Sequence, residues 1–374
     1  MDHAQSVAAT DRRIPSLDGL RAVSIALVLV GHAYQGATGS GPHTPVWLIL
    51  GNGSLGVEVF FVISGFLITT LLLKEYEGGG INLRRFYLRR AFRILPALWC
   101  YIMAVAALAA FGVLHTRISE FASALTFASD YSNVSGGAFE HTWSLSVEEQ
   151  FYLLWPAALS ASLLRGNRTL SRRIAGMLII ASPIVRLMTY LSGSAFLASR
   201  LYFMLHTRMD ALMFGCWIAL AIGHLRFEAF YRSISDIMPY VAISVFVASP
   251  LAVARFGGAY VYLVGYSIEG MTIAMTMLWV VRNPSSPFGR LLNSRAMVHV
   301  GVVSYSLYLW QELFLKTAGR PSNILLGAAY AFVAAEASYR LIETRFLRLR
   351  TRLAARRPGP KGLSDSNRQR SSRK

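Results

Sequence analysis

Apolar and polar positions alternate along this chain in long blocks, not with the short periods of soluble helices or strands. Runs of about 20 apolar residues recur from end to end, separated by short polar or basic stretches. A run of that length matches the hydrocarbon thickness of a bilayer when wound as a helix. Ten such segments are expected, at about 17–35, 54–73, 94–113, 143–164, 174–191, 205–223, 237–254, 261–281, 297–316 and 323–343. The pattern predicts an all-α, polytopic membrane protein with about ten transmembrane helices. The sixth and seventh segments are the weakest.

Composition agrees with that reading. Of 374 residues, 54% are hydrophobic and 15% charged, where soluble domains carry roughly 25% charged residues. The net charge of +18 does not imply nucleic acid, because in a membrane protein it reports the basic loops of one face. With the N-terminus inside, 29 of the 37 Lys and Arg residues fall in cytoplasmic segments, which predicts both termini in the cytoplasm. The first apolar run reads as a retained helix, not a cleaved signal peptide. Two cysteines, Cys100 and Cys216, both lie in apolar runs, which argues against a disulfide framework. No spacing of His, Asp or Glu suggests a metal. Residues 1–345 read as one membrane domain, and 346–374 as a basic, disordered cytoplasmic tail rich in Arg, Pro, Ser and Gly.

Several polar residues interrupt the apolar runs. Arg21 and His32 stand eleven positions apart on the first helix. Eleven steps make about three turns, so both share a face, separated by about 16 Å. Polar groups inside a membrane helix mark function or face protein; the plainer alternative is an Arg and a His at opposite headgroup levels. Glu58 lies in the first turns of the second segment. Arg90 and Arg93, three apart, share a face in the loop before the third, suited to phosphates or to anionic lipid. The fourth segment enters from outside with Ser144, Glu148 and Glu149. By residue count Glu148 reaches a depth like that of His32, and the two could meet if their helices are neighbours. The alternative is an N-cap at Ser144 with acids in the first turn. Arg208 and Asp210 read as an ion pair within the sixth segment, and Glu343 as a local partner of Arg340 and Arg345. Tyr305 and Tyr308 share a face of the ninth, and Trp310 reads as an interfacial anchor.

Six stretches taken together resemble the acyltransferase 3 family of bacterial integral-membrane O-acyltransferases. They are LDGLRAVSIALVLVGH (17–32), GVEVFFVISGFL (56–67), FYLRRAFRILP (86–96), TWSLSVEEQFYLLWP (142–156), TRMDALMFG (207–215) and SYSLYLW (304–310). Two positions depart from the family's pattern: Glu58 stands where Asp is frequent, and Gln311 follows Trp310 where many members have His. The resemblance implies transfer of an acyl group, usually acetyl from acetyl-CoA, to a hydroxyl of a carbohydrate, glycolipid or exported glycan. It implies a place in the bacterial inner membrane and no permanently bound cofactor. Carried onto this chain, it implies that Arg21, His32 and Glu148 serve catalysis and that Arg90 and Arg93 bind the donor. Glu58, Arg208, Asp210, Tyr305 and Trp310 are left as acceptor-binding or structural polar residues. His32 as general base or acyl relay, oriented by Glu148, is the chemistry expected. A transporter or flippase for a sugar-linked substrate is the rival, since buried charges at matched depths serve that equally.

Overall fold

A computed structural model describes residues 14–38, 45–132, 137–194, 199–317 and 324–355. Its helices are α1 (Pro15–Thr38), α2 (Pro45–Leu50), α3 (Gly53–Glu77), α4 (Leu83–Ala110), α5 (Ile118–Leu125), α6 (Thr142–Leu164), α7 (Arg168–Leu191), α8 (Leu205–Ala221), α9 (Leu225–Ile234), α10 (Met238–Phe256), α11 (Tyr266–Arg282), α12 (Pro287–Leu292), α13 (Arg295–Glu312), α14 (Ile324–Ser338) and α15 (Thr344–Ala355). π-helical turns at Val261–Gly265, Leu313–Thr317 and Tyr339–Glu343 adjoin α11, α13 and α14. No strand occurs among the described residues.

Local sequence explains several helix starts. Asn52, Asn82 and Asn167 each cap a helix by accepting the amide of the residue three positions on, at 3.1, 2.9 and 2.7 Å. Ser144 is not a cap: α6 begins at Thr142 behind His141, which makes no side-chain cap bond.

Each of the ten expected segments coincides with a long helix (α1, α3, α4, α6, α7, α8, α10, α11, α13 and α14). Seven helical stretches among the described residues are long and apolar enough to cross a membrane. Of the ten helices that match expected segments, α6, α8 and α13 lie outside that set. α8 has only 17 residues, and α6 and α13 are diluted by the Ser, Thr, Tyr and acidic side chains that carry the polar interior. Apolar faces elsewhere point outward: Trp99 and Met103 of α4, Leu153 and Leu154 of α6, and Ile180 and Ile184 of α7 are exposed.

Close glycine contacts set the packing. A Cβ at Gly301 of α13 would lie 1.8 Å from the carbonyl oxygen of Asp18 on α1, and one at Gly65 of α3 would lie 1.9 Å from that of Leu212 on α8. Contacts Asp18–Gly301, His32–Gln311 and Gly36–Leu315 make α1 and α13 parallel neighbours. Contacts His141–Glu312 and Ser144–Tyr308 make α6 antiparallel to α13. Two apolar clusters, one centred on α1, α3, α8 and α11 and one on α4, meet at α6 and α13.

The chain beyond Arg345 departs from the expected disordered tail. α15 is an amphipathic helix that continues to Ala355, and the rest of the tail lies outside the described residues.

Candidate active site

On α6, His141, Ser144, Glu148 and Tyr152 recur at spacings of three and four and line one face. On α13, Tyr305, Tyr308 and Glu312 do the same. Arg21 and His32 occupy one face of α1. These faces meet in a polar column with two ends.

At the end near the start of α1, Arg21 pairs with Asp18 at 3.0 Å. The Arg90 guanidinium lies 3.7 Å from the centroid of the Tyr152 ring, and its buried Nε has no hydrogen-bond partner among the described residues. Arg93 is exposed. It lies within electrostatic range of Arg21, Arg90, Tyr152 and Glu343, with no carboxylate in ion-pair contact among the described residues. Glu148 accepts a hydrogen bond from Ser64 at 2.8 Å and lies within range of Arg90 and Arg21. This end therefore holds three guanidinium groups among the carboxylates of Asp18, Glu148, Glu149 and Glu343. Three such forks present donors in the fixed geometry that matches phosphate oxygens.

Midway, Tyr308 donates to the His141 carbonyl at 2.8 Å and meets the Ser144 hydroxyl at 2.5 Å. Tyr305 donates to the Ile94 carbonyl at 2.8 Å, tying α13 to α4.

At the other end, His32 Nδ1 lies 2.9 Å from Gln311 Oε1. With the amide oxygen turned to the ring it can only accept, which assigns the proton to Nδ1 and the lone pair to Nε2. His141 Nδ1 lies 2.9 Å from Glu312 Oε2, and its backbone N–H donates to the same oxygen at 3.0 Å. Both side chains are fully buried. Lys316 Nζ stands 2.8 Å from Glu140 and 3.4 Å from Glu312. Glu312, Lys316 and His141 all lie within electrostatic range of His32.

The expected pairing of His32 with Glu148 is not formed. Counting residues from helix ends assumed that α1 and α6 end flush. They do not: α6 begins level with His32, because His141 meets Glu312 beside Gln311. Glu148, seven residues further along α6, is then about 10 Å deeper.

Two further pairings are exchanged relative to the sequence reading. Arg208 pairs not with Asp210 but with Glu58 of α3, at 3.1 Å and fully buried, with its guanidinium 3.6 Å from the Tyr266 ring centroid. Asp210 pairs with Arg186 of α7 at 2.8 Å. Residues two apart on a helix point to opposite sides, so each finds a partner on a different neighbour. Glu343 accepts from Ser306 and faces Arg93, while Arg340 pairs with Glu336 at 2.5 Å. Trp310 packs edge-on against Tyr101, inside the bundle and not at an interface, with its buried Nε1 unpartnered among the described residues.

The sequence reading assigned no role to His141, Glu312 or Lys316. The spacing of Tyr305, Tyr308 and Glu312, continued to Lys316, was the available signal.

This interior column, with arginines at one end and histidines with a carboxylate at the other, runs through a helical bundle whose long apolar helices mark a multi-pass membrane protein. The sequence profile of the acyltransferase 3 family, described as an acyltransferase domain, matches residues 14–335, and the chain belongs to that family. It is 26% identical to the peptidoglycan O-acetyltransferase OatA of Listeria monocytogenes, across 88% of this chain and 55% of that protein. It is 30% identical to YrhL of Bacillus subtilis, provisionally named a peptidoglycan O-acetyltransferase, across 89% of this chain and 54% of that one. A protein of Staphylococcus aureus provisionally named an O-acetyltransferase is 28% identical across 90% and 57%. The chain thus spans about half the length of these relatives. No solved structure matches it.

Proposed function

We propose that this protein is a membrane O-acetyltransferase that takes acetyl from cytoplasmic acetyl-CoA and places it on a hydroxyl of a cell-envelope or exported glycan. The observation that carries this reading is the polar column, which joins an arginine-rich end to a histidine-carboxylate end through the bundle. The names of the relatives support a glycan acceptor. Ten spans with both termini cytoplasmic are supported by the helix count and by the 29 of 37 basic residues on one side. The arginine end then faces the cytoplasm, in the bacterial inner membrane, and receives the donor's phosphates at Arg90 and Arg93.

His32 lies about 16 Å along α1 from Arg21, the distance an extended pantetheine arm has to cover. With Nδ1 held by Gln311, Nε2 takes the proton of the acceptor hydroxyl. The hydroxyl oxygen attacks the thioester carbon, the carbon–sulfur bond breaks, and the imidazolium returns its proton to the departing thiolate. The test is transfer of labelled acetyl from acetyl-CoA to envelope glycan by membranes containing the protein. Substrate movement without acetyl-CoA, and no acetylated product, supports a transporter instead.

A further inference from the structure

We propose that Glu312 is the carboxylate that sustains the histidine end of the column, acting on His32 directly through charge and through His141 as a positioning residue. This rests on the acetyltransferase reading above.

The groups facing His32 are Gln311 and Glu312 of α13, Lys316 of the π turn that follows, and His141 at the head of α6. Glu140 stands behind Lys316, and the Tyr101 and Tyr308 rings flank His141. The permanent charges among them are two carboxylates, Glu140 and Glu312, and one ammonium, Lys316. Lys316 lies closer to Glu140 (2.8 Å) than to Glu312 (3.4 Å). One negative charge is therefore left for the imidazoles. Neutral histidines leave the cluster one charge short of balance; a proton on either ring balances it.

That is the state acetyl transfer requires at the moment His32 takes the acceptor's proton. A fully buried carboxylate preorganised beside the developing imidazolium stabilises it without reorganising solvent. Glu312 also fixes geometry. One of its oxygens accepts from the backbone N–H of His141 and lies 2.9 Å from the ring Nδ1 of the same residue. This anchors the head of α6 level with His32. Glu148, engaged with Ser64 at the other end, is in no position to do either.

The experiment compares purified wild type, Glu312→Gln, Glu312→Asp and Glu148→Gln in acetyl transfer from acetyl-CoA to envelope glycan. Glu312→Gln keeps the shape and an acceptor for His141 while removing the charge. It should lower kcat at least 100-fold with the KM for acetyl-CoA within twofold of wild type. Glu312→Asp, which restores the charge at a shorter reach, should recover at least tenfold of that loss. Glu148→Gln should show the opposite split, with a raised KM for acetyl-CoA. Thermal unfolding of each variant separates loss of fold from loss of rate. An active wild type with Glu312→Gln at the same kcat overturns the proposal alone. Equal losses in folded Glu312→Gln and Glu312→Asp, with no rescue by the restored charge, overturn it as well. A folded wild type that transfers no acetyl overturns the underlying reading and this proposal with it.

Discussion

The buried pair Glu58–Arg208 offers a quantitative test of how the bundle is held. Both side chains are fully buried, and their contact at 3.1 Å joins α3 to α8 close to the Gly65–Leu212 approach. Removing one member of such a pair leaves the other charge without compensation, which costs about 3–5 kcal/mol. Glu58→Gln keeps the shape and leaves Arg208 charged. The Tyr266 face at 3.6 Å and Asp210, within electrostatic range, remain to Arg208. The expected loss is therefore near the lower end, about 3 kcal/mol, or roughly a hundredfold in the ratio of folded to unfolded protein. The double variant Glu58→Gln/Arg208→Met removes the orphaned charge and should recover about 2 kcal/mol of that, since replacing both members by neutral groups is frequently close to neutral. Unfolding of the purified protein in mixed detergent micelles measures all three. The same KM for acetyl-CoA in the folded fraction is expected, because the pair lies on α3 and α8, away from the arginine end. Glu58→Gln unfolding together with wild type would refute the reasoning, as would a double variant no more stable than the single one.

Arg93→Ala should raise the KM for acetyl-CoA about tenfold and leave abundance unchanged, since Arg93 is exposed and has no ion pair to lose; isothermal titration with CoA checks it, and unchanged affinity assigns Arg93 to lipid. Gly301→Ala should cut membrane-inserted protein severely, because its Cβ would lie 1.8 Å from the Asp18 carbonyl oxygen and α1 cannot retreat without opening the column; normal abundance and activity would show that the helices can shift. Reporter fusions after Lys374 and within 114–132 should report opposite sides of the membrane, and the same side for both contradicts the ten-span topology.

Much of this architecture is legible in the sequence, because a bilayer imposes one strong rule: an apolar run of about 20 residues that hydrogen-bonds internally. That rule locates seven helical stretches among the described residues, while α6, α8 and α13 overlap expected segments without meeting it. The one-face relation of Arg21 and His32 is equally legible, since it depends only on helical periodicity. Partner choice is not. Arg208 and Asp210 read as a pair on proximity in sequence, yet each faces a different neighbour. His32 and Glu148 read as level, because depth was counted from helix ends; the offset between α1 and α6 is set by tertiary contacts such as His141–Glu312. Helix ends in turn shift by a residue or two with their caps, enough to exchange one partner for another. Glu312 is not legible as a site residue, because one acid at the end of an apolar run resembles an interfacial residue and only the packing of α6 buries it.

In the proposed reaction acetyl passes from the arginine end of one bundle to a hydroxyl at His32. It is tested most directly with sealed vesicles holding wild type or His32→Ala, with labelled acetyl-CoA supplied only to the face that carries the termini and envelope glycan to the other. The account predicts glycan gaining the mass of acetyl with wild type and none with His32→Ala, while both proteins insert and bind CoA equally. Acetylated glycan formed at the wild-type rate by a well-inserted His32→Ala protein would contradict it.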